Sequence, residues 1–197
     1  MLLRVANLLD LKQVADVHIQ CFKGTFIASF GHNLVTKYYE EFFNEAPLFV
    51  VAEDENKIVG FCMGYKSGSK ARSKFIRKNR LRLFFKMLIL CLSLNRLAIS
   101  KCFNMVKPKR KISAGCLKVI AEADLLSICV LDNYKGRGLA KKLVADFEQL
   151  LVDNDLHDYT LSVYKTNDRA IGFYKKQGLT IVSEIGDEFK MYKKISL

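Results

Sequence analysis

The chain of 197 residues has no tryptophan and only two prolines, Pro47 and Pro108, but neither scarcity says much about function. The missing arrangements say more. Its six cysteines (Cys21, Cys62, Cys91, Cys102, Cys116 and Cys129) include no Cys-x-x-Cys pair, so neither a zinc site nor a disulfide framework is expected, and no metal is called for. Most lie inside apolar runs, as reduced thiols of a cytoplasmic protein do. No apolar stretch reaches the ~20 residues that a membrane-spanning helix needs. The nearest, Leu83 to Leu94, is shorter and contains Lys86. No signal peptide is expected, because Met1-Leu2-Leu3 runs directly into Arg4 and a strand-like start. Internal repeats and flexible linkers are also absent. Neither the Walker A spacing nor the three-glycine dinucleotide fingerprint occurs.

Acidic residues are missing from one long segment. Between Lys66 and Ile112 there are fifteen Lys/Arg and no Asp/Glu, which leaves 17 basic and 20 acidic residues elsewhere, a net of −3 out of an overall +12. The basicity therefore belongs to this segment and not to the whole chain. Within it Lys74, Lys78, Arg82 and Lys86 recur every four residues, on one helical face, while Leu81, Phe84, Phe85, Leu88 and Leu92 occupy others. Three readings fit: a helix covering a substrate pocket or a dimer partner, a basic helix lying on an anionic membrane, and nucleic-acid binding. The last is weakest, since no recognisable module interleaves aromatics or amides with the charge.

The rest, at 50% hydrophobic residues overall, suffices for one domain spanning 1–197 with an inserted helical segment at about 66–112. A strand over Leu2 to Ala6 precedes a helix from Asp10, its expected N-cap, with apolar positions Leu11, Val14, Val17 and Cys21. His18 reads as a partly exposed residue of that helix with no partner in view. Phe22 to Phe43 is an aromatic-rich loop and helix. Leu48 to Glu53 and Lys57 to Tyr65 form a hairpin across Asp54-Glu55-Asn56, in which Gly60 and Gly64 mark bulges or a close backbone approach.

The pattern is most informative in Leu125 to Asp153. An apolar run ending at Leu131 reads as a buried strand. Lys135-Gly136-Arg137-Gly138-Leu139-Ala140 follows, and then Leu139, Leu143, Val144, Phe147, Leu150 and Leu151 recur with helical spacing. A glycine turn opening a helix leaves several backbone N–H groups unpaired at the positive end of the helix dipole, an anion seat suited to phosphate. Beyond the helix, Tyr159 to Val163 is a strand parallel to the previous one if the helix is a crossover. A short helix between Asn167 and Gly178 and a hairpin of Thr180 to Ile185 with Phe189 to Ile195 complete the chain.

The turn resembles the coenzyme A loop of the GNAT acetyltransferase superfamily, Arg/Gln-x-x-Gly-x-Gly/Ala, with Lys135, Gly138 and Ala140 in the patterned places. Asn167-x-x-Ala170-x-x-x-Tyr174-x-x-x-Gly178 is similar to the second half of that signature, one strand later, with Leu179 where Phe is usual. The resemblance covers roughly Glu122 to Lys194; the basic segment has no counterpart in the basic family pattern.

The resemblance implies an α/β fold of the α+β type: a mixed, twisted, mostly antiparallel sheet with a central splayed parallel strand pair, flanked by helices. It implies acetyl-CoA as cosubstrate and direct acetyl transfer to a primary amine. Lys135, Gly136, Arg137, Gly138, Leu139 and Ala140 would hold the coenzyme pyrophosphate, the backbone of Ile128 and Val130 the pantetheine arm, and Asn167 would touch the coenzyme from the splay. Tyr174 matches the general acid, Asp124 stands where histone-type members have their catalytic Glu, and Glu122 lies two residues earlier on the same face. The competing readings are strand-edge surface carboxylates and a Tyr that packs under the coenzyme. The Phe22 to Phe43 region would overlie the acceptor pocket or simply fill core. Ser162 stands where ribosomal-protein N-terminal acetyltransferases of bacteria carry Glu, which argues against that substrate class. A small amine, such as an amino sugar or its nucleotide-linked form, is the first expectation for the acceptor and a protein amine the second. A non-catalytic, membrane-docked acyl-CoA-binding module is the non-enzymatic rival. The expected location is cytoplasmic, with homodimer formation and peripheral membrane contact as open partner readings.

Overall fold

The computed structural model describes residues 1–45, 47–92 and 121–195, with side chains left aside for 90–92. The second half of the basic segment, with Cys102 and Cys116, lies outside the described residues, as does the side chain of Cys91. The strands are β1 (Leu2–Val5), β2 (Leu48–Asp54), β3 (Lys57–Lys66), β4 (Ala123–Val130), β5 (Asp158–Tyr164), β6 (Thr180–Ile185) and β7 (Glu188–Lys194). The helices are α1 (Leu11–Cys21), α2 (His32–Phe43), α3 (Ala71–Leu92), α4 (Leu139–Val152) and α5 (Asp168–Lys176). The strands form one seven-stranded sheet in the order β1-β2-β3-β4-β5-β7-β6, antiparallel except for β4 and β5.

Alternation along each strand divides the apolar side chains between two cores. Phe49 and Val51 of β2, with Phe61 and Met63 of β3, face Val14, Val17, Val35, Tyr39 and Phe42 of α1 and α2. Leu48, Val50 and Cys62 face the other way, onto Leu143, Phe147 and Leu151 of α4. The expected residues of α4 are nearly all buried, because apolar side chains three and four apart form one stripe.

In β4 the alternation breaks. Met63 pairs with Ser127 but Gly64 with Leu125, so Leu126 is an extra residue, a β-bulge. Ala123 and Leu125 before it, and Ile128 and Val130 after it, all face the α4 side, whereas Leu126 and Cys129 face α1 and α2. Gly64 beside the bulge is required by space: a Cβ there would lie 2.6 Å from Phe147 Cζ and 2.7 Å from the Asp124 carbonyl oxygen. A Cβ on Gly60 would lie 3.0 Å from the Cys129 carbonyl oxygen, so both glycines mark a close approach.

Two local expectations are corrected. Asp10 does not cap α1 with its side chain; Asn7 accepts from the Leu9 N–H, while the Asp10 carboxylate accepts from the Asn7 N–H and from Arg4. That ion pair makes Asp10 worth burying. His18 is buried, at 5% exposure, and its Nδ1 lies 2.7 Å from the Tyr39 hydroxyl across the α1–α2 contact. On α3 the four-residue repeat of cations is shared between partners, since Lys74 pairs with Glu45 and Lys78 with Glu41, both at 2.7 Å, which the sequence did not foretell. Two of those cations tie the helix to the end of α2. The aromatic stretch divides: Tyr38, Tyr39 and Phe42 are core, while Phe22, Phe26 and Phe30 are half-buried.

Candidate active site

The parallel pairing of β4 with β5 is limited to Ala123 with Tyr159 and Asp124 with Thr160. From Leu125 and Leu161 onward the strands part, although β4 stays paired with β3 as far as Val130 and β5 with β7 as far as Tyr164. The result is a wedge-shaped slot in the sheet. Leu131 donates its N–H to the Val59 carbonyl of β3, so the Val130 carbonyl points the opposite way, toward the slot. By the alternation of an antiparallel ladder, the N–H and C=O of Ile128 and Val130 line that open edge. The Cys21 thiol, at the end of α1, already donates to the Val130 carbonyl at 3.4 Å. Sequence reading did not link Cys21 to this strand, because the contact joins residues 109 apart.

The glycine turn closes the slot at the C-terminal end of β4. Asp132–Tyr134 form a short 3-10 turn, and Gly136 and Gly138 then adopt φ of +79° and +75°. Glycine is needed there for its conformation and not for space, since a Cβ would meet nothing within 4 Å at either position. Gly138 caps α4 without a side chain. Among the described residues, none of the backbone N–H groups of residues 136–141 finds an acceptor within the protein. Tyr134 anchors the turn by donating its hydroxyl to Asp54 Oδ2 at 2.9 Å, and the Arg137 guanidinium lies 5.6 Å from the Tyr134 ring centroid. Lys135 is paired with Asp132, so an incoming anion competes with that carboxylate for the ammonium.

On the β5 side of the slot, Asn167 caps α5, its Oδ1 accepting from the Ala170 N–H at 3.1 Å. Only its amide NH₂ remains to donate to a ligand. Tyr174, on the same helix, packs against the core under α4, and its hydroxyl has no hydrogen-bond partner among the described residues. Burial, with Cys62 adding to it, pushes the phenol above its ordinary value, so the proton stays on at neutral pH.

The two carboxylates are placed differently from each other. Asp124 stands at the apex of the wedge, where Oδ1 accepts from the Thr160 hydroxyl and from Lys190 Nζ, the latter at 2.7 Å. Lys190 arrives there through the β5–β7 register, opposite Ser162. Glu122 lies before the strand begins, and its Oε2 accepts from the His157 N–H at 2.5 Å. It fastens the closed end of the β4–β5 pair. Tyr65, half-buried nearby on β3, is pushed up to about 12 by burial and then by the Asp124 charge. Thr160, Lys190 and Tyr65 were not singled out in sequence, because nothing local brings β3, β5 and β7 to Asp124. Among the described residues no cluster of His, Cys, Asp and Glu is suited to a metal ion.

Comparison with known proteins agrees with this geometry. Residues 100–179 match the model of the acetyltransferase (GNAT) family. A comparison with curated proteins finds no match. Among solved structures, PH1933 from Pyrococcus horikoshii OT3 aligns at 19% identity and a TM-score of 0.65, over 100% of this chain and 99% of that one. The PaiA N-acetyltransferase from Thermoplasma acidophilum, solved in complex with coenzyme A, aligns at 15% identity and 0.55, over 98% of each chain. The ribosomal-protein-S18-alanine N-acetyltransferase from Escherichia coli aligns at 14% identity and 0.61, over 100% of this chain and 94% of that one. At these identities the structures share the fold.

Proposed function

We propose that this chain, whose residues 100–179 match the acetyltransferase (GNAT) family model, is an N-acetyltransferase that transfers the acetyl group of acetyl-CoA directly to a primary amine on a small molecule, with the coenzyme seated in the β4–β5 wedge. The observation that carries this is the wedge itself, opening beside a turn whose N–H groups at residues 136–141 have no acceptor among the described residues. Those groups, backed by the dipole of α4, receive the pyrophosphate. The free edge of Ile128 and Val130 pairs with the amides of the pantetheine arm, as a further strand would. Lys135, Arg137, Leu139 and Ala140 complete the cradle, and the Asn167 amide donates from the far side.

The amine nitrogen attacks the thioester carbonyl, a C–N bond forms, the C–S bond breaks, and the sulfur leaves as thiolate. Tyr174 supplies a proton or hydrogen bond to that sulfur. A phenol pushed above the ordinary 10 by burial is a weaker acid than a thiol near 8.5, so complete transfer is uphill by more than ~2 kcal/mol and the hydrogen bond itself is its main contribution. Asp124, at the apex, is the nearer candidate base, acting directly or through water. Its engagement by Lys190 and Thr160 leaves it Oδ2 for that task. Glu122, held by the His157 N–H, serves the closed end of the strand pair instead.

The acceptor follows from a carboxylate that is already engaged by Lys190 and Thr160. An α-type amine of pKa about 8 is about 10% neutral at pH 7, whereas Lys is under about 0.1% neutral. The former needs little help, which suits a site whose carboxylates are both engaged. An amino sugar has such an amine, and its nucleotide-linked form adds phosphates that Lys190 favours. A protein amine is the second reading. The engaged Asp124 also favours the rival, a coenzyme-binding module without catalysis. Calorimetric titration with coenzyme A and a thiol-release assay over a panel of amines separate these. Release above background with amino sugars, reduced about 100-fold by Tyr174→Phe with coenzyme affinity retained, is expected. Coenzyme binding with no release over the whole panel refutes the enzyme reading.

A further inference from the structure

The long helix α3 leaves uncovered what other helices bury. Its 22 residues carry seven cations and no acid. Lys74 and Lys78 pair with Glu45 and Glu41, while Arg72, Arg77, Arg80, Arg82 and Lys86 have no carboxylate partner among the described residues. Beyond Arg80 the helix is mostly apolar, interrupted by Arg82 and Lys86, and its large side chains face outward: Leu81, Phe84, Phe85, Leu88 and Ile89 are 45–65% exposed. Polarity thus changes along the helix axis, from a cationic first half to an apolar second half.

Alongside lies an apolar groove of about 540 Å³ between α3, α2 and the loop before α2. Ile27, Phe30, Leu34, Phe75, Leu83 and Met87 contribute to its walls, with Arg72 and Arg80 as the charged lining groups. That volume is the size of a small-molecule site. A nucleobase would lose the hydrogen bonds of its edges in such a lining. A second copy of α3 packed face to face would bring five unpaired cations against five, with no acid on either helix. An acyl chain with a negative headgroup meets both demands, apolar walls and uncompensated cations. No described helix is long and apolar enough to cross a membrane, so such contact would be peripheral.

We propose that the α2–α3 groove and the exposed Leu81–Ile89 side of α3 seat acyl chains of an anionic lipid, docking the chain on a negatively charged membrane surface. The unpaired cations of α3, Arg82 included, meet the headgroups, and Phe84 and Phe85 enter the acyl boundary. None of the residues assigned to the coenzyme lines the groove, so a chain unable to transfer an acetyl group would still bind lipid.

The absence of Trp supplies the test. The full-length Phe84→Trp variant is mixed with phosphatidylglycerol vesicles whose acyl chains are brominated at mid-chain, or with neutral phosphatidylcholine vesicles. Flotation with the anionic vesicles only, together with quenching of the single Trp, is expected. Arg77→Gln and Arg82→Gln should each lower the partition coefficient about fivefold, and Phe84→Ser with Phe85→Ser should abolish quenching. All these positions are exposed, and a far-UV spectrum of each variant checks folding. Flotation without quenching would reduce the surface to charge adsorption and overturn the proposal. So would no flotation, or a dimer in solution that the two Phe→Ser changes dissociate. Tighter retention on single-stranded RNA than on vesicles would overturn it as well.

Discussion

Helices α3 and α4 follow strands of the same sheet and both carry several Leu, with Phe and Lys among them, yet they are used in opposite ways. In α4 the apolar residues recur every three or four positions, and Leu139, Leu143, Val144, Phe147 and Leu151 are all buried. In α3 the same residue types are collected at one end, and Phe84 and Phe85 are 63% and 58% exposed. Apolar content alone does not distinguish a core helix from a docking helix; the direction along which polarity varies does. Variation around the axis makes a stripe that a sheet can cover, whereas variation along it leaves an apolar end.

The sharpest break of this comparison pairs Phe147→Ala with Phe84→Ala. The first empties a fully buried site between α4 and β3 and is expected to cost about 3–5 kcal/mol in urea unfolding. The second removes an exposed ring and should stay within about 0.5 kcal/mol. Comparable losses would mean that α3 is packed as α4 is.

The next largest effect concerns α1 and α2, the layer onto which α3 is tied. Burial lowers His18 from the ordinary 6.5 to about 4. The unfolded chain then binds the extra proton between those values, so stability is full above pH 6.5, declines as pH falls toward 4, and is flat below. The loss amounts to about 3 kcal/mol. Denaturant midpoints from pH 7 to 4 should show this fall in the native chain, and His18→Gln should remove it.

Much of the scaffold was legible in the sequence, and the reasons are local. Strand, glycine turn and α4 announced themselves through period and punctuation, and Asn167 to Gly178 gave a helix with its caps. What was not legible depends on which strands lie side by side. Lys190 reaches Asp124 only through the β5–β7 register, and the bulge at Leu126 changes which residues of β4 face α4. His18 looked exposed because its partner, Tyr39, is on another helix. The pairing of Lys74 and Lys78 was not foreseen because Glu41 and Glu45 lie far away in sequence.

Two smaller effects refine the picture at the two helix starts. Gly138→Ala places a side chain at φ +75°, which costs about 1–2 kcal/mol. If the strain is relieved by turning the N–H groups, coenzyme A affinity falls about tenfold, ~1.4 kcal/mol; thermal unfolding and titration read the two separately. At α3, Lys78→Ala removes the pair with Glu41 from a largely exposed position and should cost less than about 1 kcal/mol. A larger loss would show that the tether to α2, and not the groove, sets the position of α3.

The seam between β4 and β5 consists of two residue pairs, and this makes the sheet two cooperative units. β1 to β4 form one ladder and β5, β7 and β6 another, joined by that seam and by α4, which packs on β2, β3 and β4 and reaches the second unit through Glu148, the acceptor for the Tyr159 hydroxyl of β5 and the ion-pair partner of Lys193 of β7. Amide hydrogen exchange should therefore release the β5–β7–β6 amides together, at a lower free energy than the β2–β3 amides. A molecule that spans the wedge bonds to both units at once. Its binding free energy then adds to their coupling, and the two exchange classes should converge as it saturates.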